Sequence, residues 1–371
     1  MKVVVAPVEY KGTLTAREAA EAIAEGVRRA APDAEIDLAP VSDGGPGFVD
    51  VFLGSRPGKL VQSVVQNPLG RRIQAGWAML EDRTAVIEVA SAVGLSLLRP
   101  EERDPRITTS YGIGQLISAA LDSRAERIVV GLGGTATNDG GAGMAAALGA
   151  RFLDRRKTTL LPGGAALAQL EFIDIFEFDQ RAKNTPVVAA TDVRNPLCGP
   201  KGASIVYGPQ KGASGSTARA LDSALKRYAK IVEKTLGVRM LDVPGGGAAG
   251  GIGAGLIAFL GAEVRSGFDI VAQITHLYQR IGGADLVITG EGRLDAQTAY
   301  GKAVARVADF AREARVPVIA VPGALGDGWE ALEDKLDAIQ PLDGAEGEHG
   351  ARLAEGTARA VSTWIEAKEA V

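Results

Sequence analysis

Five segments hold the residue types from which chemistry could be built. GLGGTATNDGGAGM, Gly131 to Met144, carries Gly133, Gly134 and Thr135, then Asn138 and Asp139. PVEYKG carries Glu9 and Lys11, and SDGGPG carries Asp43. TDVRNPLCGPKGAS carries Asp192 and Asn195, and GEGRLDAQTAYGK carries Glu291, Arg293, Asp295, Gln297 and Lys302. A glycine-rich turn ahead of a helix offers several N–H groups to an anion, aided by the partial positive charge of the helix N-terminus. Carboxylates can hold Mg²⁺, Lys and Arg can hold phosphates, and an Asp can take the proton of an acceptor hydroxyl. Together these residue types suit phosphoryl transfer. Each also has a plainer use. The glycines could serve turn geometry and close packing. Asp43 could close an Asx-turn, Glu291 and Asp295 could be a solvated pair at a helix entry, and Asn195-Pro196 could simply stop a strand. Their recurrence after segments that read as strands favours function.

Several other chemistries are excluded. There is no G-x-x-x-x-G-K-[ST] phosphate loop and no H-R-D or D-F-G kinase set. The two histidines, His276 in QITHLYQR and His349 in EGEHG, lie apart and read as structural. With the single cysteine, Cys198, they leave no clustered ligands for zinc and no disulfide within the chain. One rival stays open. Gly131-x-Gly133-x-x-Ala136 follows a strand, and Asp154 stands where a ribose-binding acid of a dinucleotide fold would. Against it, Thr137 to Gly141 continues as loop where that motif starts its helix.

The elements that must hold these loops alternate. KVVVAP reads as a strand. TAREAAEAIAEGVRRAAP reads as an amphipathic helix opened by Thr15 and Glu18 at capping-box spacing, and AEIDLAP as a second strand. The end of the chain repeats the grammar: ADLVITG, a helix over GKAVARVADFAREA, VPVIAVPG, LDAIQPL, and a closing helix. Such alternation implies a parallel sheet covered by helices. The middle differs, with the strand-like pieces KLVQSVVQ, RRIQAGWAML and TAVIEVA before helices and strands mix around glycine loops. The alanine-rich run Ala145–Ala150 reads as helical. We therefore expect two α/β domains: a discontinuous one from residues 1–60 and 283–371, and an inserted one over 61–282. Loops at the carboxyl ends of parallel strands are where such sheets bind ligands.

The chain has 371 residues, 46% of them hydrophobic and 23% charged, with a net charge of −4. This is the balance of a globular protein, with no basic surplus for nucleic acid. The apolar run at the N-terminus is too short for a signal peptide. GAAGGIGAGLIAFLGA is glycine-rich and slightly short for a bilayer span, so it reads as a buried helix. A cytoplasmic protein with neither nucleic acid nor membrane as partner is expected, and a homo-oligomer is compatible with the sequence. GPKGAS at Gly199 and GPQKGAS at Gly208 form a small internal echo.

The order of these segments is similar to that of the bacterial glycerate kinase type-1 family. The resemblance runs from APVEYKGTLTAREAAEAIAEG through VSDGGPGFVD, GLGGTATNDGGAGM and TDVRNPLCGPKGAS…YGPQKGA. It ends in PGGGAAGGIGAGLIAFLGAEVRSGFDIV…ADLVITGEGRLDAQTAYGK. It implies ATP- and Mg²⁺-dependent phosphorylation of glycerate, commonly at the 2-hydroxyl. It also implies a flavodoxin-like domain from both chain ends, an inserted α/β domain, and an active site in the cleft between them. Carried onto this sequence, it makes Asp192, Asp43 and Lys11 the catalytic candidates. Arg293, Asp295, Glu291 and Asn195 are candidates for glycerate, and Gly133, Gly134, Thr135, Asn138, Asp139 and Lys302 for the nucleotide phosphates. Asp192 and Asp295 are the candidates for the metal. Two family acids are missing: Val8 stands where A-P-D-S-F-K-G has Asp, with Glu9 next to it, and Pro46 where A-D-G-G-E-G-T has Glu. An oxidoreductase using Gly131–Ala136 with NAD(P), and a non-catalytic ligand-binding relative of the kinase, are the alternatives.

Overall fold

The computed structural model describes residues 1–10, 12–299, 302–342 and 348–369. Lys11 and the side chain of Gln297 lie outside this set. In chain order the strands are β1 (Lys2–Val5), β2 (Glu35–Leu38), β3 (Gly58–Gln66), β4 (Arg72–Leu80), β5 (Thr84–Glu88), β6 (Arg127–Gly131), β7 (Arg151–Leu153), β8 (Phe172–Asp174), β9 (Val187–Ala190), β10 (Glu263–Arg265), β11 (Leu286–Thr289), β12 (Val318–Ala320) and β13 (Ala338–Ile339). They divide between two compact units. Met1–Asp43, Asp50–Ser55 and Phe268–Val371 form the first, and Gly44–Val49 and Arg56–Gly267 form the second.

The first unit is a five-stranded sheet in the order β13-β12-β11-β1-β2, parallel throughout. Counted within the unit, that is 2-1-3-4-5, the flavodoxin-like doubly-wound order. Its inner strands are continuous apolar runs because helices cover both faces: Val3, Val5, Leu286, Ile288 and Ile319 are all fully buried. Helix Ala16–Ala30 begins at the expected box, Thr15 accepting from the Glu18 N–H and Glu18 from the Thr15 N–H. Its apolar face packs with Leu353 and Val361 of the closing helix His349–Glu369.

The second unit contains a six-stranded sheet, β10-β9-β6-β5-β4-β3. The four strands β10, β9, β6 and β5 are parallel, and β4 and β3 extend them as an antiparallel hairpin. Asn67 makes the hairpin turn, its Oδ1 accepting from the N–H groups of Leu69 and Arg71 at 2.9 and 3.0 Å. A small antiparallel pair, β7-β8, stands apart from the main sheet.

The unit borders fall elsewhere than residues 60 and 283. β3 starts at Gly58, which pairs with Leu80, so the chain joins the second unit before residue 61. Helices Gly267–Ile274 and Leu277–Gly282 go with the first unit. Arg280 donates through Nε to Asp37 of β2 at 3.0 Å, and Phe268 packs on Phe310 with ring centroids 5.6 Å apart. His276 stands between these helices in left-handed backbone, φ 52°, rather than inside a helix. The GAAGGIGAGLIAFLGA segment is a buried helix, Ala248–Leu260, interrupted by left-handed residues 249–251. Among the described residues no helix is long and apolar enough to cross a membrane.

Candidate active site

In the second unit the parallel strands end in register. Glu88 is level with Gly131, and Gly131 and Arg265 are level with Ala190. Four loops meet beyond this edge. The Leu132 N–H donates to Ala190 O at 2.9 Å, and the Gly247 N–H to Asn195 O at 2.9 Å. A Cβ on Gly133 would stand 2.6 Å from the Gly45 Cα, and one on Gly44 2.5 Å from Ala190 O. Only glycine permits these approaches, so the glycines of SDGGPG and GLGG are what let the loops close on each other. Asp192 lies half-buried directly after Thr191 on this edge. Asn195 is held nearby, its Nδ2 donating to Lys201 O at 2.8 Å and its Oδ1 accepting from the Tyr207 hydroxyl at 2.9 Å.

The Gly133–Asp139 loop has an open tip and a buried root. Gly134 is exposed, Gly133 half-buried and Thr135 5% exposed, whereas Thr137 and Asn138 have no exposure at all. The Leu95 N–H donates to Gly134 O at 2.7 Å, and the Ala136 N–H to Val93 O at 2.9 Å. Asp139 faces inward. Its carboxylate accepts from Ser110 N–H at 2.8 Å, Ser110 Oγ at 2.9 Å, and the N–H groups of Gly141 and Gly143 at 3.2 Å. Burial pushes this carboxyl above the usual range, and those hydrogen bonds pull it back. Asn138 Nδ2 donates to Ser204 Oγ at 2.8 Å. Asp139 and the Asn138 amide nitrogen are thus bonded to the protein's own loops, while Asn138 Oδ1 is buried without a partner. The groups left at the surface for an anion are Gly133, Gly134 and Thr135.

The dinucleotide reading fails on geometry. The helix after β6 starts at Ala142, six residues beyond Ala136, and ends at Ala147, short of the expected Ala150, because Gly149 turns the chain at φ 101°. Asp154 follows β7, outside the parallel sheet, and its Oδ1 accepts from the N–H groups of Arg156 and Thr158 at 2.8 and 2.9 Å. It closes a turn.

In the first unit the candidates gather at the carboxyl ends of β1 and β11, the switch point of a 2-1-3-4-5 sheet. The Val8 N–H donates to Gly290 O at 3.0 Å, and the Val41 N–H to Pro7 O at 2.9 Å, which brings the loop leading to Asp43 beside the loop after β1. A cavity of about 420 Å³ opens here, lined among others by Glu9, Glu291, Arg293, Asp295, Lys302 and Arg352. Thr298 Oγ1 donates to Glu291 Oε1 at 2.6 Å and itself accepts from the Asp295 N–H at 3.3 Å, so the two acids are tied through one hydroxyl. Arg293 is exposed and lies over Gly326, where a Cβ would stand 2.4 Å from its Nε. Lys302 stands at the N-cap position of the helix Ala303–Ala314, its side chain making no capping hydrogen bond. Tyr10 is buried and donates to Val321 O at 2.5 Å. Burial, then the Glu291 charge, pushes its hydroxyl well above the ordinary range.

The sequence model described as the glycerate kinase family matches residues 3–365. The chain belongs to the glycerate kinase family. It is 44% identical to the glycerate kinase of Bacillus subtilis strain 168 over 98% of both chains. It is 46% identical to the glycerate 2-kinase of Escherichia coli K12 over 93% of both. A crystal structure from Salmonella typhimurium LT2, of a protein named as a candidate glycerate kinase 2, superposes with a TM-score of 0.82 at 43% identity. That superposition covers 100% of this chain and 99% of the other.

Within this family member, the sequence reading passed over three residues. His349, read above as structural, is the first residue of the closing helix and lines the first-unit cavity with Arg352 one turn on. Arg352 donates through Nη2 to Leu342 O at 3.1 Å. Lys211, 2% exposed, lies beneath the Gly133–Asp139 loop. Its one visible signal was the GPQKGAS echo, which marks a repeated turn and not a buried charge.

Proposed function

We propose that this glycerate kinase family member transfers the γ-phosphoryl group of ATP to a hydroxyl of glycerate, giving phosphoglycerate. The observation that carries this is the family match across residues 3–365, with the motif loops of each unit gathered at the carboxyl edge of its own sheet. The 2-hydroxyl is the proposed acceptor, since one relative is named glycerate 2-kinase.

The proposed roles follow the chemistry of each group. Gly133, Gly134 and Thr135 offer N–H and O–H donors to the nucleotide phosphates. Asn138 and Asp139 keep that loop in shape. Arg293 and Lys302, with Lys11, supply positive charge for the glycerate carboxylate and the transferred group. Asp192 takes the proton of the attacking hydroxyl, with Asp43 as the competing base. Glu291 and Asn195 order the loops on which these groups stand. Mg²⁺ usually needs only one or two carboxylates when phosphate and water oxygens complete its shell. Among the described residues no group of three or more His, Cys, Asp or Glu side chains is placed to hold a metal. The residues therefore fit a metal that arrives with the nucleotide, and Asp192 or Asp295 would be its protein ligand. Bound there, Mg²⁺ would neutralise charge on the phosphates. We place the reaction in the cytoplasm, with ATP and glycerate as partners and no part for nucleic acid.

A coupled assay for ADP release, run over a panel of short hydroxy acids, tests the reading. Release stimulated by glycerate supports it, and a folded, Mg²⁺-supplied protein that shows none overturns it. Feeding the product to enolase alone reads the position: 2-phosphoglycerate is consumed directly, and 3-phosphoglycerate needs a mutase first.

A further inference from the structure

Lys211 ends the 3₁₀ turn Pro209–Lys211, and its side chain runs inward instead of out to water. Its ammonium donates to the main-chain oxygen of Thr137 at 2.7 Å and to Thr135 Oγ1 at 3.3 Å. A lysine is rarely buried without a paired or functional reason. Here its two partners belong to one loop, and that loop is the one whose tip is open. The Thr135 contact has a chemical consequence. An ammonium can only donate, so Thr135 Oγ1 is the acceptor and its own proton is left to point elsewhere. Thr135 is 5% exposed, next to exposed Gly134, and beyond it the loop to Asp139 is 1% exposed or less.

We propose that Lys211 is a positioning residue for nucleotide binding: in its protonated form it turns Thr135 into a hydrogen-bond donor toward a phosphate oxygen and puts a positive charge under the Gly133–Thr135 tip. The proposal rests on the reading of this tip as the phosphate site. A second consequence follows from burial, which lowers the Lys211 ammonium to about 7, with the Asp139 carboxylate acting in the opposite direction. A phosphate bound over the tip favours the protonated form, so nucleotide and proton bind together.

The test compares the wild type with Lys211→Met and Thr135→Val by measuring KM for MgATP and for glycerate. Loss of a charge-assisted hydrogen bond should raise the MgATP KM of Lys211→Met on the order of tenfold, with the glycerate KM within about twofold. A purely structural lysine would lower the melting temperature and leave the MgATP KM of the folded fraction alone. A raised MgATP KM in Thr135→Val together with an unchanged one in Lys211→Met overturns the role of Lys211 and leaves the phosphate loop standing. No change in either variant overturns both. If Lys211→Met does not fold, the wild type decides: its MgATP KM should climb from pH 7.5 to 9 while the glycerate KM stays level, and a flat MgATP KM overturns the proposal.

Discussion

Gly250 is pressed against Thr137: a Cβ added to Gly250 would stand 1.9 Å from the Thr137 carbonyl oxygen. The same oxygen accepts from Lys211, and the Gly140 N–H donates back to Gly250 O at 3.1 Å. The PGGGAAGG segment is thus the floor on which the phosphate-loop candidate rests. Gly251 and Gly255 meet Gly140 and Gly141 in the same way, glycine on glycine. The glycines of GLGGTATNDGGAGM therefore divide in use. Those near the end of the stretch serve backbone packing, and Gly133 and Gly134 form the open tip.

Gly250→Ala should lower stability by roughly 2 kcal/mol or more, because it meets a backbone atom and also needs φ 69°. Gly282→Ala is the control, with nothing within 4 Å of the added carbon. Thermal melts of the two variants check this. Matching melting temperatures would show that the floor can give way.

Much of the first unit was legible because its strands are buried on both faces and read as unbroken apolar runs, KVVVAP and ADLVITG among them. The Thr15–Glu18 box marked a helix start from sequence spacing alone. The unit border near residue 268 was not legible. It depends on Arg280 meeting Asp37, a contact between residues far apart in the chain that no local pattern encodes. The direction of a side chain in a loop was equally hidden. Asn138 and Asp139 are short polar residues that suit a ligand or an internal brace equally well, and no local pattern encodes that Ser110 and Ser204 stand within hydrogen-bond reach of them. Lys211 was missed for the opposite reason. A lysine in a turn is nearly always solvated, and its burial follows from the tertiary placement of that turn.

Lys211 should leave a mark on the pH dependence of stability. The folded protein binds its proton only up to about pH 7. The unfolded chain holds it to about 10.4. Between these values the unfolded state carries more protons, so stability should rise with pH, by up to about 1.4 kcal/mol per unit. The gain is complete above the unfolded value and is lost as pH falls to 7. Urea midpoints at pH 7 and pH 8 measure it, a range below the roughly 8.5 at which the unfolded Cys198 thiol titrates; burial pushes the folded thiol up to about 12, so above that range Cys198 would lower stability and mask the rise. Lys211→Met should show a markedly smaller rise. An identical rise in both proteins would mean that the ammonium is solvated.

Arg293 is exposed at the first-unit cavity and lies over Gly326. A small carboxylate substrate needs a cation that can reach it, and a guanidinium can hold it through two parallel hydrogen bonds. Arg293→Ala should raise the KM for glycerate about tenfold or more, while the KM for ATP stays within about twofold. Arg293→Lys should recover only part of the loss, since an ammonium keeps the charge but not the fork. Equal effects on both substrates would move Arg293 away from the glycerate carboxylate.

Asp192 carries the sharpest prediction about the chemical step. Phosphoryl transfer depends on positioning and charge, and the attacking hydroxyl must lose its proton to a nearby base. Asp192 comes two residues after the end of β9, whose Ala189 and Ala190 are fully buried, and the Thr191 N–H between them donates to Arg265 O at 2.9 Å, so its backbone starts from a rigid strand. On its other side, Asn195 is fixed by Lys201 and Tyr207, and the Gly247 N–H holds Asn195 O. Four residues of loop, 191–194, between two anchored points leave little freedom. Asp192→Asn keeps the size and removes the charge and basicity. Turnover should fall on the order of 100-fold or more, with little change in melting temperature. If the loss is recovered by raising Mg²⁺, the carboxylate binds metal. If it persists at saturating Mg²⁺, Asp192 is the base. Near-normal turnover would remove it from the mechanism and pass the role to Asp43, to be tested by the same substitution.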